Sequence, residues 1–379
     1  MKIFIVTERR ADFSRFKPII KIIKKEKKIK YDLVVTGLHL VREHGYTINE
    51  IFDEKFKIFD KFKMFDDEYF VRNDGSSMAY ALGVAVTKLS KILRKSKPDI
   101  ILSGFDIAAN FAVTICGAHM NIPVAHIQGG EVSGTIDESL RHGMSKFSNL
   151  HFTANNETKK RLIKMGEVPK NVYAVGCPSI DALLNERDLS QNYILSKFNI
   201  DISKPFSITI QHPVTSELHL SDRQMKKTIT ALRKIDMQHL IIFPNNDAGS
   251  KKILNIIKKS KLKFTPTLNL SEYKTLLKYS KILVGNSSSG IHEASTFKIP
   301  VVNIGTRQNG RMKPQNVINV KHDELKIFKA LKKGLSKNFR DNIKNIRNPY
   351  GNGNSSRKIV EILKRIDFLK FDTQKKITY

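Results

Sequence analysis

A short segment rich in serine and glycine combines residue types that can hold a phosphate group. Serines 287–289 follow an apolar, strand-like segment at 281–285 and precede a segment with helical character at 290–297. The first N–H groups of a helix have no partner within it and lie at the positive end of its dipole, so this turn predicts an anion site. Glu293 could then hold a pair of ribose hydroxyls. The alternative is an ordinary strand–turn–helix with a polar cap.

Comparable polar motifs follow several other strand-like segments. The seven motifs begin at residues 8, 105, 128, 211, 244, 285 and 305. In open α/β sheets, ligands bind beyond the carboxyl ends of the strands. The motifs therefore predict a ligand cleft at the edge where these strand ends meet.

The elements that position these motifs alternate between strand and helix patterns along the chain. Strands separated by helices of this length are typical of parallel sheets covered on both faces. The alternation pauses in a polar segment at 185–204 and then restarts. We therefore expect two doubly wound, Rossmann-like domains of the α/β class, 1–184 and 185–379, with a cleft between them. An amphipathic helix at 357–371 ends the pattern and could pack back on the first domain.

The chain carries a large positive charge, with a formal net charge of +30 over 379 residues. The lysines are spread along the sequence, tryptophan is absent, and no aromatic residues alternate with the lysines as in a base-stacking surface. This distribution favours a small anionic substrate over nucleic acid as the partner.

Other features of the composition indicate a compartment. No apolar run reaches the length of a membrane span, and the apolar stretch near the N-terminus is too short for a secretory signal. Cys116 and Cys177 are too few and too far apart for a disulfide framework or a metal cluster. We expect a cytoplasmic protein with no membrane association and no metal site.

Taken together, the motifs resemble the UDP-N-acetylglucosamine 2-epimerases, and in particular the hydrolysing branch that supplies precursors of sialic and legionaminic acids. The resemblance covers nearly the whole chain and rests on nine segments in the same order. These are RADFSRFKP (10–18), VVTGLHL (34–40), NIPVAHIQGGEVSGTIDESLRHGMSK (121–146), VGCPSID (175–181), QHPVT (211–215), FPNNDAGSK (243–251), GNSSSGIHEA (285–294), NIGTRQNGR (303–311) and YGNGN (350–354).

The resemblance implies a fold of the GT-B type, with the sugar bound by the first domain and the nucleotide by the second. The implied reaction eliminates UDP across C1–C2 of a UDP-sugar and hydrates the resulting glucal to the manno sugar. Neither a cofactor nor a metal is implied. The resemblance also implies a homo-oligomer, either a dimer or a tetramer.

Such chemistry needs proton transfer at C2 and electrostatic stabilisation of the departing diphosphate. The resemblance implies catalytic roles for Asp106, Asp137 and His212, with Glu131 as a neighbouring candidate. The structural alternatives are a helix N-cap for Asp106, an exposed ion pair four residues apart for Asp137 and Arg141, and a solvent-facing loop for His212.

The resemblance also implies a set of substrate-binding residues. Asn245 could hold the sugar or the nucleotide, although its loop is equally typical of turn chemistry. Arg141 would contact the substrate or its phosphates, and Glu293 would contact the ribose. The residues implied to contact the phosphates are Arg10, Ser14, Ser287, Ser288 and Arg307.

Two positions depart from the family pattern. Where the family commonly has Gly-Asp-Arg, this chain has Phe105-Asp106-Ile107, and Gln128 stands where the family commonly has glutamate. Glutamine cannot act as a general base, although it can hydrogen-bond an N-acetyl or hydroxyl group. The C2 proton would then pass to Asp106, Asp137 or Glu131. Alternatively, the chain acts on an altered sugar, such as a 2,4-diacetamido-2,4,6-trideoxy sugar on UDP, or lacks the epimerase step.

Three other functions remain open at this point. A GT-B glycosyltransferase would share the nucleotide site, and a non-hydrolysing 2-epimerase would share the elimination step. A non-catalytic protein that binds nucleotide sugars or nucleic acid is the third.

Overall fold

The computed structural model describes residues 1–66, 74–245, 247–368 and 371–378. The chain forms two compact units. The first comprises Met1–Glu131, Ile136–Ala182 and the segment from Tyr350 onward, and the second comprises Val132–Thr135 and Leu183–Pro349. The last segment of the chain therefore belongs with the first unit.

The first unit is built on a parallel sheet whose strands lie in the order β3-β2-β1-β4-β5-β6-β7. Its strands are β1 (Lys2–Thr7), β2 (Lys30–Val35), β3 (Ile58–Lys61), β4 (Ile100–Gly104), β5 (Val124–Ile127), β6 (Leu150–Thr153) and β7 (Val172–Ala174). Its helices are α1 (Arg10–Ile23), α2 (Ile48–Asp53), α3 (Gly75–Ser96), α4 (Ala108–His119), α5 (Asp137–Phe147) and α6 (Asn156–Lys164), and short 3-10 turns occupy Gly37–Leu40, Arg42–His44 and Pro169–Asn171.

The second unit repeats this plan with strands in the order β10-β9-β8-β11-β12-β13, again all parallel. Its strands are β8 (Phe206–Ile210), β9 (Gln238–Ile242), β10 (Lys263–Thr265), β11 (Ile282–Gly285), β12 (Val301–Ile304) and β13 (Val317–Val320). Helix α7 (Pro178–Asn185) leads into it, followed by α8 (Gln191–Phe198), α9 (Ser221–Arg233), α10 (Ser250–Lys259), α11 (Leu270–Tyr279), α12 (Ser289–His292), α13 (Glu324–Leu335) and α14 (Lys337–Asn342), with 3-10 turns at Thr215–Leu220 and Ala294–Phe297.

Apolar side chains from both faces of each sheet form the cores. Strands β1 and β4 send alternate residues to opposite faces, as Ile3 and Ile5 pack with one cluster and Phe4 and Val6 with the other. Burial on both faces explains why these strands read as continuous apolar runs. The final helix α15 (Ser355–Arg365) packs its apolar face into the core of the first unit.

The expected fold class is confirmed, because each unit is a Rossmann-like α/β layer structure with a parallel sheet. Two element predictions are wrong in their bounds. The helix expected at 290–297 is a single α-turn, α12, followed by the 3-10 turn Ala294–Phe297. The terminal helix expected at 357–371 spans Ser355–Arg365, and residues 369–370 lie outside the described part of the chain. Among the described residues, no helix combines the length and apolar character needed to cross a bilayer.

Both sheets reverse their strand order at a central pair of neighbouring strands. In the first unit this pair is β1 and β4, and in the second it is β8 and β11. The crevice beyond such a pair is the usual ligand position in doubly wound sheets. The polar motifs that follow these strands are therefore placed where a ligand is expected.

Candidate active site

In the first unit, Asp106 occupies a strained turn directly after β4. Phe105 and Asp106 both adopt left-handed backbone conformations, with φ of 72° and 54°. Such conformations are unfavourable for residues with a side chain. Gly104, which precedes this turn, lies close to β5, because a Cβ atom there would lie 2.7 Å from the Ile127 carbonyl oxygen. The turn displaces Asp106 from the N-cap position, which Ile107 occupies.

The Asp106 carboxylate is held by Arg141 of α5 through a bidentate salt bridge. Arg141 Nε lies 2.8 Å from Oδ1 and Nη2 lies 2.5 Å from Oδ2, and the arginine side chain is 1% exposed. Burial by itself lowers the pKa of the guanidinium, but the charge and hydrogen bonds of Asp106 outweigh burial and raise that pKa above its usual value. This fork geometry fixes the orientation of the carboxylate. Arg141 is thus a buried residue bound to Asp106, and not the exposed surface cation of the structural alternative.

Gln128 and Glu131 lie next to this pair, in the loop after β5. Both are buried, and Gln128 has a left-handed backbone conformation with φ of 63°. Gln128 Nε2 donates weakly to Glu131 Oε1 at 3.4 Å, and the Glu131 carbonyl accepts from Arg141 Nη1 at 2.8 Å. Among the described residues, Gln128 Oε1 has no hydrogen-bond partner. The loop therefore presents a buried carboxylate beside a buried amide acceptor.

Glu8 has a positioning role that the sequence analysis missed. Its side chain is fully buried after β1, and Oε2 accepts the backbone N–H of Ala109 at 2.9 Å, at the start of α4. Glu8 thus supplies the contact at the start of α4 that was the structural alternative for Asp106. Its backbone N–H donates to Asp12, whose carboxyl pKa is raised to about 6, chiefly by burial. The position of Glu8 immediately after a buried strand was the available signal.

The other predicted residues of the first unit lie on helices. Arg10 in the first turn of α1 forms an ion pair with Glu50 of α2, and the Ser14 hydroxyl donates to the Ala11 carbonyl at 3.0 Å. Asp137 begins α5, and its charge contributes to raising the pKa of Arg141. The phosphate contacts expected of Arg10 and Ser14 remain predictions.

In the second unit, His212 follows β8 and is fixed by two asparagines. Its backbone N–H donates to Asn286 Oδ1 at 2.7 Å, and its carbonyl accepts from Asn286 Nδ2 at 2.9 Å. His212 Nδ1 lies 3.1 Å from both the backbone nitrogen and Oδ1 of Asn245. Asn245 therefore holds the imidazole ring whichever nitrogen carries the proton. In turn, Asn245 Nδ2 donates to Asp247 at 2.7 Å.

The serine turn after β11 differs from the expected helix start. The N–H groups of Gly290 and Ile291 donate to the carbonyls of Ser287 and Ser288 at 3.1 and 3.0 Å, so they do not point outward as predicted. These bonds span three residues and close a tight turn. A contact with an anion from this turn must therefore come from serines 287–289, whose side chains are partly exposed.

Glycine is required at the end of β11. Gly285 has φ of 121°, and a Cβ atom there would lie 2.0 Å from the Ile210 carbonyl oxygen of the neighbouring strand. Only glycine accommodates both constraints. This close approach brings Asn286 against His212 and so joins the motifs after β8 and β11.

Glu293 and Arg307 flank the serine turn. The buried Tyr273 hydroxyl of α11 contacts the Ser289 hydroxyl and hydrogen-bonds Glu293, and its pKa is raised by burial and by the charge of Glu293. Arg307 follows β12 and donates from Nη1 to the Asn286 carbonyl at 3.3 Å. Sequence reasoning missed Tyr273, whose helical position next to apolar residues resembles an ordinary core residue.

The structure therefore forms two groups of predicted residues, one in each unit. The first unit joins Asp106, Arg141, Gln128 and Glu131 around a buried salt bridge. The second joins His212, Asn245 and Arg307 through Asn286, with the serine turn beside them. Both groups lie beyond the strand pairs where the sheet order reverses.

The chain is similar to known proteins over most of its length. The family model described as UDP-N-acetylglucosamine 2-epimerase matches residues 21–364. A UDP-N,N'-diacetylbacillosamine 2-epimerase (hydrolyzing) from Legionella pneumophila is 33% identical over 96% of each chain. A UDP-N-acetylglucosamine 2-epimerase from Neisseria meningitidis is 32% identical over 88% of each chain. A GDP/UDP-N,N'-diacetylbacillosamine 2-epimerase (hydrolyzing) from Campylobacter jejuni is 32% identical over 90% of this chain and 89% of the relative.

Solved structures share the fold. A crystal structure of a Neisseria meningitidis UDP-GlcNAc 2-epimerase bound to UDP-GlcNAc has a TM-score of 0.80 at 20% identity, covering 97% of this chain and 100% of the other. A Staphylococcus aureus MnaA–UDP structure has a TM-score of 0.81 at 18% identity, covering 100% of this chain and 99% of the other. With a family match over most of its length, this chain belongs to the UDP-N-acetylglucosamine 2-epimerase family.

Proposed function

We propose that the protein is a hydrolysing UDP-sugar 2-epimerase. A base removes the C2 proton while the C1–O bond to the diphosphate breaks, which releases UDP and leaves a 2-acetamidoglucal. Water then adds a hydroxyl to C1 and a proton to C2 on the opposite face, giving the manno sugar. The observation that carries this proposal is the salt bridge between the buried Arg141 and the largely buried Asp106, beside Glu131 at the strand reversal of the first unit.

We assign the proton transfers to the carboxylates of the first unit. Gln128 cannot accept a proton, so the base at this loop is Glu131, which is 3% exposed and accepts a hydrogen bond from Gln128. Asp106 is held rigidly by Arg141 and suits a second transfer, because proton transfer requires a fixed distance to the reacting atom. Asp137, one helical turn before Arg141, is the third candidate and would guide the hydration step.

The second unit is proposed to bind the nucleotide. The hydroxyls of Ser287 and Ser288 and the guanidinium of Arg307 would contact phosphate oxygens, and Glu293 would accept hydrogen bonds from the ribose. His212 would donate to the departing diphosphate, and Asn245 orients its ring. Preformed donors at the position where charge develops are an effective source of transition-state stabilisation.

We propose a 2,4-diacetamido-2,4,6-trideoxy sugar on UDP as the preferred substrate. Gln128 Oε1 is a buried acceptor that an acetamido N–H would satisfy, and this sugar carries two acetamido groups where UDP-GlcNAc carries one. Two of the relatives near one-third identity are named for the diacetylbacillosamine sugar, which supports this choice, whereas the Neisseria relative is named for UDP-GlcNAc.

UDP release from both sugars tests the proposal, with the freed sugar identified by NMR. We expect release from both and faster release from the diacetamido sugar. Glu131→Gln should abolish release, whereas Glu361→Gln, an exposed change on α15, should not alter it. If neither sugar yields UDP, the proposed function is rejected. If both sugars release UDP at equal rates, the substrate preference is rejected.

A further inference from the structure

Glu167, a buried carboxylate outside the proposed site, lies close to three basic side chains. Glu167 is 1% exposed, and Oε2 lies 2.9 Å from His151 Nε2 and 2.5 Å from Lys375 Nζ. Its Oε1 lies 3.0 Å from Lys146 Nζ. Burial alone would raise the pKa of this carboxyl, but hydrogen bonds from His151 and Lys375 outweigh burial and lower it to about 2.

The Lys375 ammonium group is fully hydrogen-bonded. Besides Glu167, Nζ donates to the carbonyls of Ser145 at 2.5 Å and Ser148 at 2.8 Å. An ammonium group has three N–H donors, and each has an acceptor here. The two carbonyls lie at the carboxyl end of α5, where helix carbonyls lack partners within the helix and the dipole favours a cation. Lys375 therefore caps α5 from the far end of the chain.

The tail is attached to the first unit on both sides of Lys375. Asn149 Nδ2 donates to the Thr373 carbonyl at 3.1 Å, and the Thr378 backbone N–H donates to the Gly166 carbonyl at 3.0 Å. These two hydrogen bonds hold the backbone on either side of Lys375 and so set the position of its side chain. The cap is thus built into the tail rather than made by a loose surface side chain.

The capped end of α5 connects directly to Arg141. The Ser145 hydroxyl donates to the Arg141 carbonyl at 3.1 Å, while the Ser145 carbonyl accepts from Lys375. The same hydroxyl lies 3.1 Å from His126 Nδ1 on β5, the strand that leads into Gln128. A shift at the carboxyl end of α5 would therefore reach both the helix and the strand that carry the proposed sugar-side residues.

We propose that Lys375 is a positioning residue, which fixes the carboxyl end of α5 and thereby holds the Arg141 guanidinium in place to orient Asp106. Its effect on turnover rests on the proposed function. The C-terminal tail is then part of the machinery of the first unit, although it contacts none of the reacting groups.

The test compares Lys375→Met with Lys376→Met, which removes the same charge from the next residue, an exposed lysine. Lys375→Met should speed hydrogen exchange of the amides at 144–148 by about 5- to 30-fold. It should lower kcat for UDP release by about 10- to 100-fold, as expected for a misplaced catalytic group. Binding of UDP, which is assigned to the second unit, should not change. Lys376→Met should leave all three unchanged.

A purely structural role would lower the melting temperature of Lys375→Met without changing kcat at low temperature, and that result would overturn the proposal. Unchanged exchange at 144–148 would overturn it as well. If Lys375→Met does not fold, Lys375→Gln, which keeps a two-donor amide, replaces it. If the wild-type protein releases no UDP, the proposed function is wrong, and the exchange comparison still decides whether Lys375 holds α5.

Discussion

The turn that presents Asp106 makes a sharp prediction about Phe105. Its side chain is 6% exposed, its ring centroid lies 4.9 Å from that of Phe16, and the Arg15 guanidinium carbon lies 5.1 Å from its ring centre. Removing a buried phenylalanine ring costs about 3–5 kcal/mol. Both Phe105→Ala and Phe105→Gly should therefore lower the free energy of unfolding by about this amount.

The difference in the free energy of unfolding between the two variants reports the backbone conformation at residue 105. At φ of 72°, alanine retains an unfavourable left-handed conformation worth about 1–2 kcal/mol, which glycine does not have. Glycine loses about 0.5–1 kcal/mol through its greater freedom in the unfolded chain. Phe105→Gly should therefore be as stable as Phe105→Ala, or more stable by up to about 1.5 kcal/mol.

Urea unfolding of both variants measures this difference, and the same pair at Phe16 is the control. Phe16 is fully buried in the interior of α1, where glycine should be less stable than alanine by about 1 kcal/mol. If Phe105→Gly is less stable than Phe105→Ala by the margin found at Phe16, the backbone at 105 is not left-handed. The account of how Asp106 is directed toward Arg141 would then be wrong.

Three further predictions concern single side chains. Arg141→Met should destabilise the protein by about 3–5 kcal/mol and lower kcat, because it removes the partner of a largely buried carboxylate. Glu167 has a folded-state pKa of about 2, below its ordinary value of 4.5, so its stabilisation is present above pH 4.5 and is lost as the pH falls toward 2. Glu167→Gln should therefore reduce the fall in the free energy of unfolding between pH 4.5 and 2. Ser287→Ala and Ser288→Ala should each weaken UDP binding by about 1.5–3 kcal/mol, the range for hydrogen bonds to charged groups.

Two of these predictions have a matched control. Arg357→Met removes an exposed arginine paired with Glu361 and should cost less than about 1 kcal/mol. Ser196→Ala removes an exposed hydroxyl on α8 and should leave UDP binding unchanged. The first prediction is contradicted if Arg357→Met and Arg141→Met lower the free energy of unfolding equally. The second is contradicted if Glu167→Gln leaves the loss of stability at acid pH unchanged. The third is contradicted if neither serine change alters the UDP affinity measured by calorimetry.

Sequence patterns were sufficient for the main strands because buried parallel strands are continuous apolar runs. The short strands β3, β10 and β13 were missed, since IFDK, KFT and VINV mix polar and apolar residues and are no longer than four residues. The helix expected at 290–297 was also wrong. Its serine-rich start closes tight turns through bonds that span three residues, which composition does not reveal.

The site was predictable as a set of strand-end residues but not as a set of contacts. Asp106 and Arg141 are 35 residues apart, and their pairing follows from the adjacent positions of β4, β5 and α5 in the fold. Spacing along the sequence offered only Asp137, one helical turn away, as a structural alternative for the partner of Arg141. The roles of Glu8 and Lys375 depend on where distant segments meet, and no local pattern encodes them.

The proposed function depends on proton exchange at C2, which turnover in deuterated water measures. Each released manno sugar should carry one deuterium at C2, with one UDP formed per sugar, and Glu131→Gln should eliminate both. Release of UDP with hydrogen retained at C2 would show simple transfer or hydrolysis at C1 and would contradict the account.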